Sequence, residues 1–122
     1  KAIPDLCCDI RKVQPLNNLL KGYSAWISGK KSYHNGERKG IQFFQFLNEK
    51  IIINPLANTD MEFIKNYFEE NKIERHPLFE KGFLSVGCTH CTKKTIDLTE
   101  PRSGRWPEKT KTECGIHKDY YK

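Results

Sequence analysis

The five cysteines of this chain fall into a pattern that restricts what it can fold around. Cys7 and Cys8 are adjacent, Cys88 and Cys91 form a Cys-x-x-Cys pair, and Cys114 stands alone near the C-terminal end. Four thiolates are a complete ligand set for a metal centre, which leaves the fifth thiol available for chemistry. The pattern therefore predicts that two segments far apart in sequence meet at one site, and that Cys114 does not join it.

The adjacency of Cys7 and Cys8 bears on the kind of metal centre. Neighbouring side chains on a helix diverge by about 100°, so two adjacent thiolates would reach a single zinc ion awkwardly. A cubane has several iron corners, and two diverging thiolates can each bind a different iron. The residues favour an iron–sulfur cluster, with a zinc site or a set of free buried cysteines as the alternatives.

Composition and charge limit the class of protein. The 122 residues are 37% hydrophobic and 30% charged, which is typical of one globular domain or a part of one, and no apolar run is long enough to cross a membrane. An odd cysteine count without an export signal favours the reducing cytoplasm. The net charge of +6 suggests an anionic partner. The start at Lys1 rather than methionine is typical of a fragment or a processed product.

The N-terminal third predicts helix followed by strand. Apolar residues recur every three or four positions over residues 6–21, which indicates helix. Pro15 should interrupt one continuous helix, so we expect two helices, the first of which carries the adjacent cysteines. Residues 25–28 predict a short strand.

The middle of the chain predicts a hairpin and one secure helix, and the rest predicts little regular structure. Aromatic and β-branched residues at 41–47 and 50–53 flank Asn48-Glu49, as in a hairpin. A capping box at 59–62 opens an amphipathic helix that runs to about Asn71. From Arg75 onward glycine and proline punctuate the sequence, and so long an irregular stretch is unusual unless it binds something.

Six motifs occur in order along nearly the whole chain. They are CCDIRKVQPL from Cys7, AWISG from Ala25, NPLA from Asn54, GCTHCT from Gly87, GRW from Gly104 and ECGIH from Glu113. Together they resemble the C-terminal half of the assimilatory adenylyl-sulfate (APS) reductases, which are close relatives of the PAPS reductases.

The resemblance implies a fold. The parent domain would be an adenine-nucleotide-binding, PP-loop-like α/β sheet, of which this chain forms the C-terminal part, with few strands, cluster-binding helices and an irregular tail. Residues 1–92 would be the cluster-binding part and residues 93–122 a mobile catalytic tail. The upstream nucleotide-binding half, with its phosphate loop and adenosine-binding strands, would lie outside the chain.

The resemblance also implies roles for the cysteines. Cys7, Cys8, Cys88 and Cys91 would hold a 4Fe–4S cluster with a structural and electrostatic role. Cys114 would be the nucleophile that attacks the sulfur of APS and forms an S-sulfocysteine, from which thioredoxin or glutaredoxin releases sulfite. The reaction is thiol-dependent reduction of APS, or of PAPS, in sulfate assimilation.

Four further residues receive roles by the same resemblance. Arg102 and Arg105 would bind the phosphate–sulfate end of the substrate, Lys12 would lie between cluster and substrate, and His117 would orient the tail. Nucleic acid and membrane are not expected partners, and a homo-oligomer is left open. The alternative function is a zinc-stabilised module that binds nucleic acid or protein.

Overall fold

The computed structural model of the chain describes residues 3–34, 38–107 and 111–116. Its helices and strands, in chain order, are α1 (Pro4–Cys8), α2 (Gln14–Leu19), β1 (Ala25–Ile27), β2 (Phe44–Leu47), β3 (Lys50–Ile53) and α3 (Met61–Glu70). This small α/β arrangement confirms the predicted fold class. Of the helices in these residues, none has the length and apolar character that crossing a membrane requires.

The two predicted helices are confirmed, because α1 carries Cys7 and Cys8 and α2 begins at Gln14 with Pro15 in its first turn, but no break in the chain separates them. A π-helical turn, Asp9–Val13, follows α1 directly and leads into α2, and a 3-10 turn, Leu20–Gly22, completes the segment. Proline lacks an N–H group and its ring collides with the carbonyl four residues earlier in a regular α-helix. The wider π turn, in which the Gln14 N–H donates to the Asp9 carbonyl, accommodates that ring.

The three strands form one mixed sheet in the order β1-β3-β2. β1 runs parallel to β3, and β2 pairs antiparallel with β3 through the two-residue turn Asn48-Glu49. Both turn residues have positive φ, 49° and 60°, which is the type I′ geometry that matches the strand twist. The predicted hairpin is confirmed, although its first strand begins only at Phe44.

The two faces of this sheet differ in burial. Ile52 in the central strand is fully buried on one face. On the opposite face, Ile27, Phe44, Phe46 and Ile51 are all exposed, with Phe46 at 76%. Apolar faces of this kind normally lie against another layer, and no part of the described chain covers this one.

The helix α3 ends at Glu70, close to the predicted end. Its N-cap is Asp60, whose carboxylate accepts a 2.6 Å hydrogen bond from the Phe63 N–H. The predicted capping box assigned that role to Thr59, whose hydroxyl instead donates to the Leu56 carbonyl at 2.8 Å. Beyond α3 the described chain is irregular, as predicted, apart from the 3-10 turn Thr89–Cys91 and one isolated β-bridge.

Candidate active site

Four of the five cysteines lie around a single cavity of about 110 Å³, here called the cysteine cavity. Cys7 and Cys8 reach it from α1, and Cys88 and Cys91 reach it from the irregular segment. Cys8 is only 5% exposed. The complete lining is Pro4, Cys7, Cys8, Arg11, Lys12, Cys88, His90 and Cys91. Two segments about 80 positions apart in sequence therefore meet here, and Cys114 is not part of the lining.

The Cys88–Cys91 loop is held by hydrogen bonds within its own motif. The Cys91 N–H donates to the Cys88 carbonyl at 2.9 Å. The Thr92 hydroxyl donates to that same carbonyl at 2.9 Å and accepts from the Gly87 N–H at 3.0 Å. The threonine that follows the second cysteine thus fixes the loop that presents both thiols.

The thiols are not arranged around one point. Within residues 3–34, 38–107 and 111–116, no group of three or more Cys, His, Asp or Glu side chains is arranged to hold a single metal ion. The four thiols border a cavity that is larger than one water molecule requires. Within the described residues the four thiols thus share one cavity without forming a site for a single metal ion.

Charges around the buried thiol Cys8 show which groups lie near it. Burial raises the pKa of Cys8 above its ordinary value, and the positive charges of Lys111 and Lys12 oppose that rise. The neighbouring thiols Cys114 and Cys91 raise the pKa of Cys8 further. Cys114 therefore lies close to the cysteine cavity without lining it.

A second cavity, of about 230 Å³, lies nearby and is here called the basic cavity. Its lining is His34, Glu100, Arg102, Ser103, Arg105, Lys111 and Thr112. The lining thus includes two arginines and one lysine but only one acidic residue, Glu100. Such a lining suits an anion with several oxygens, because guanidinium forks bind phosphate and sulfate in a bidentate manner.

Arg105 connects the two cavities. Its side chain lines the basic cavity and donates to the carbonyls of Cys91 and Val86, each at 3.3 Å. The guanidinium carbon lies 4.4 Å from the centre of the buried Trp106 ring. A side chain at Gly87 would collide with this guanidinium group, so the glycine of the cysteine motif makes room for the arginine.

The C-terminal segment 111–116 is docked by ion pairs. Arg102 donates to the Thr112 carbonyl at 2.7 Å and lies 3.3 Å from a carboxylate oxygen of Glu113. Arg38 binds the same carboxylate through two nitrogens, one of them at 3.2 Å. Glu113 is only 2% exposed. Docking places Cys114 close enough to Arg102 to affect the pKa of that arginine.

The pKa of Arg102 reflects this crowded environment. Burial is the main influence, and together with the positive charge of Arg38 it lowers the pKa of Arg102 to about 10. The carboxylate of Glu113 opposes the shift. Arg102 stays protonated at neutral pH and remains a cationic donor in the basic cavity.

His34 is neutral in this cavity. Burial, followed by the positive charges of Arg38, Lys31 and Arg102, lowers the pKa of His34 to about 4. Its Nδ1 atom lies 3.2 Å from an Arg38 side-chain nitrogen. Because a guanidinium group can only donate, Nδ1 accepts this hydrogen bond.

The low pKa of His34 predicts a pH-dependent stability. Between pH 6.5, the ordinary pKa, and about 4, the unfolded chain binds a proton that the folded chain does not. We therefore expect the free energy of unfolding to fall as the pH drops through this range, by roughly 1–2 kcal/mol once the partial hydration of the ring is allowed for. Above pH 6.5 this contribution should vanish.

The variant His34→Asn isolates that effect, because asparagine keeps an acceptor for Arg38 but does not titrate. Denaturant unfolding at several pH values should give a shallower pH dependence for the variant than for the unaltered protein. If the free energy of unfolding depends on pH in the same way in the two proteins, His34 does not contribute to this dependence.

The structure gathers most of the residues that the sequence singled out. Arg102 and Arg105 share the basic cavity, whereas Lys12 lines the cysteine cavity instead. Cys114 is near enough to Arg102 and to Cys8 to affect the pKa of both. His117 lies outside the described residues.

Several residues of the site were missed by the sequence analysis. His34 and Arg38 belong to a polar stretch between β1 and β2 that shows no periodicity, so nothing local distinguished them from surface residues. Lys111 was one lysine among many. Glu113 lies in the ECGIH motif, and an acidic residue beside a thiol in a basic tail was a signal that could have been used.

Comparison with known proteins identifies a family for most of the chain. Residues 2–94 match the family model described as the phosphoadenosine phosphosulfate reductase domain. The matched residues include all four cysteines of the cysteine cavity. Arg102, Arg105 and Cys114 follow the matched residues.

Individual relatives extend over most of the chain. The chain is 43% identical over 116 residues to an adenosine 5'-phosphosulfate reductase of Mycolicibacterium smegmatis, an alignment that covers 93% of this chain and 49% of the relative. It is 40% identical over 117 residues to the enzyme of the same name from Chelativorans, with 96% and 48% covered. It is 42% identical over 118 residues to a phosphoadenosine 5'-phosphosulfate reductase of Gloeobacter violaceus, with 93% and 49% covered.

The chain spans about half the length of these curated relatives. The family match extends over far more than half of the 122 residues. It includes the helical segment, the whole sheet and the Cys-x-x-Cys loop. This chain belongs to the phosphoadenosine phosphosulfate reductase domain family.

Proposed function

We propose that these 122 residues are the part of a sulfonucleotide reductase that carries the nucleophile and the metal centre. The enzyme would reduce adenylyl sulfate (APS) to sulfite and AMP in sulfate assimilation, in the cytoplasm. The observation that carries the proposal is the position of the one cysteine outside the cysteine cavity. Cys114 is docked beside Arg102 of the basic cavity, where a sulfate ester could be bound.

The first step follows from the chemistry of a thiolate near an anion site. The Cys114 thiolate attacks the sulfur of APS, and a sulfur–sulfur bond forms while the bond from sulfur to the phosphate oxygen breaks. AMP leaves with the electron pair of that bond. The basic cavity, through Arg102 and Arg105, binds the oxygens of the sulfate and phosphate groups.

The second step regenerates the thiol. A thiolate of a thioredoxin-type reductant attacks the Cys114 sulfur of the S-sulfocysteine, and sulfite leaves with the electrons of the sulfur–sulfur bond. The resulting mixed disulfide is resolved by the second thiol of the reductant. Thioredoxin and glutaredoxin both supply such a pair of thiols.

We also propose that the cysteine cavity holds a 4Fe–4S cluster through Cys7, Cys8, Cys88 and Cys91. Four thiols that share one cavity, two of them adjacent in the sequence, suit a group with several metal corners. The cluster would supply structural rigidity and an electrostatic environment. Lys12 and Arg11 line the same cavity, and their positive charge would offset the negative charge of the thiolates.

The proposed substrate is APS rather than PAPS, which differs by one further phosphate. The relatives bear both names. The assay uses a full-length protein, meaning one of the relatives' length that contains these 122 residues. Sulfite release should depend on APS and on thioredoxin, with a higher kcat/KM for APS than for PAPS. Absence of sulfite with both nucleotides would refute the proposed function.

Metal analysis tests the cofactor separately. We expect the full-length protein, purified without oxygen, to be brown, with thiolate-to-iron absorption and with iron and acid-labile sulfide in equal amounts. Cys88→Ser should lose colour and iron, whereas Thr89→Ser, in the same loop, should keep both. A colourless protein with stoichiometric zinc would support a zinc-stabilised binding module instead.

A further inference from the structure

We propose that Glu113 is a positioning residue, whose ion pair with Arg38 docks residues 111–116 and holds Cys114 in place beside the basic cavity. This ion pair is called the Glu113–Arg38 latch below. The inference rests on the proposed function, because it concerns the thiol that this function uses.

The contacts of the latch are stronger than those of an ordinary surface ion pair. Arg38 binds both carboxylate oxygens of Glu113 in a bidentate fork. The Arg38 and Glu113 side chains are only 12% and 3% exposed. A bidentate pair removed from water gives more energy and more geometric specificity than an exposed pair. Removing Glu113 takes the carboxylate away from the buried Arg38 guanidinium, and removing Arg38 leaves the Glu113 carboxylate with fewer cationic partners, so either change destabilises the docked segment.

The latch fixes the chain on one side of Cys114, and a turn fixes it on the other. Gly115 has a φ of 94°, which is a left-handed conformation that glycine adopts without strain. It lies against the helical segment, because a Cβ atom there would be 3.4 Å from the Cγ2 atom of Val13. Cys114 is thus held between an ion pair and a packed turn.

The latch also shares a residue with the anion site. Arg102 lines the basic cavity and at the same time approaches the second carboxylate oxygen of Glu113. An anion bound to Arg102 therefore lies beside the docked segment, and displacement of the segment would remove a contact from Arg102. Because Glu113 already engages guanidinium groups with both oxygens, it holds the segment rather than accepting a proton from Cys114.

Alkylation of Cys114 tests the docking directly. The full-length protein, without nucleotide, is treated with limiting iodoacetamide, and the extent of modification at each cysteine is measured by peptide mass spectrometry. The variants are Glu113→Gln and Arg38→Ala, and the control is Lys39→Ala, which removes an exposed positive charge next to Arg38. We expect the alkylation rate of Cys114 to rise roughly tenfold in both variants and to stay unchanged in the control.

The two variants separate docking from simple electrostatics. Removing the Glu113 carboxylate favours the thiolate, whereas removing the Arg38 guanidinium disfavours it. Faster alkylation in both variants therefore reports release of the segment. Acceleration in Glu113→Gln with slowing in Arg38→Ala would indicate an electric field alone and would overturn the proposal.

Single-turnover kinetics test the positioning. With APS and without reductant, formation of the Cys114 adduct should slow by roughly 10–100-fold in either variant at saturating APS. The double variant should be no slower than the slower single variant, because both substitutions remove the same latch. If the rate losses of the two single variants add up in the double variant, or if the adduct forms at the original rate, the proposed role of the latch is wrong. Neither outcome would affect the proposed function. Only failure of the unaltered protein to form an adduct on Cys114 would instead count against the proposed function.

Discussion

Replacement of Cys114 by serine in the full-length protein should abolish sulfite formation, by at least about a thousandfold in kcat. A serine hydroxyl has a far higher pKa than a thiol and is a poor nucleophile toward sulfur at neutral pH without a dedicated base. The change is small in volume, and Cys114 does not line the cysteine cavity. Iron content, visible absorption and nucleotide affinity should therefore remain those of the unaltered protein.

The pairing of lost turnover with retained iron is the informative outcome. Sulfite production is followed with APS and thioredoxin, and APS binding is measured by calorimetry on the same preparation. Cys88→Ser serves as the contrasting variant, because it should lose iron. Turnover by Cys114→Ser would move the nucleophile to one of the other cysteines and end the proposed mechanism.

The 122 residues expressed alone should not turn over APS, even with a cluster in place. Under the proposed function the basic cavity would bind only the anionic end of the nucleotide, through charge-assisted hydrogen bonds of roughly 1.5–3 kcal/mol each. Ordering the substrate and the tail opposes these contacts. The apolar sheet face that includes Phe44 and Phe46 is exposed, which favours self-association.

The comparison is between the 122 residues and the full-length protein, at equal iron content. Sedimentation analysis should show self-association of the shorter chain, and the sulfite assay should show turnover only by the longer one. Robust APS-dependent sulfite release by the 122 residues would mean that the nucleotide site lies within them.

The parts of the fold that follow local rules were predictable. The helix α3 has an apolar stripe and a capping residue, and the hairpin has two β-rich runs around a short turn, so sequence alone located both. The helical segment was harder. Proline at position 15 usually interrupts a helix. The sequence does not show that a π turn joins the two helices without a break, and this is seen only in the structure.

The site was predictable in its motifs and not in its long-range contacts. Spacing and resemblance pointed to the four cysteines that share a cavity. The ion pair between Arg38 and Glu113 joins residues 75 positions apart, and no periodicity or local motif encodes such a partner. Such long-range pairs form only because the tertiary fold brings distant segments together, and a single sequence does not show which segments these are.

The central claim is that Cys114 carries the sulfo group during the reaction. The direct measurement is peptide mass spectrometry of the full-length protein after mixing with APS, without any thiol reductant. We expect one sulfo group on Cys114, one equivalent of AMP released, and loss of the adduct with sulfite release once reduced thioredoxin is added. A sulfo group on Cys7, Cys8, Cys88 or Cys91, or sulfite formation with Cys114 never modified, would contradict the account.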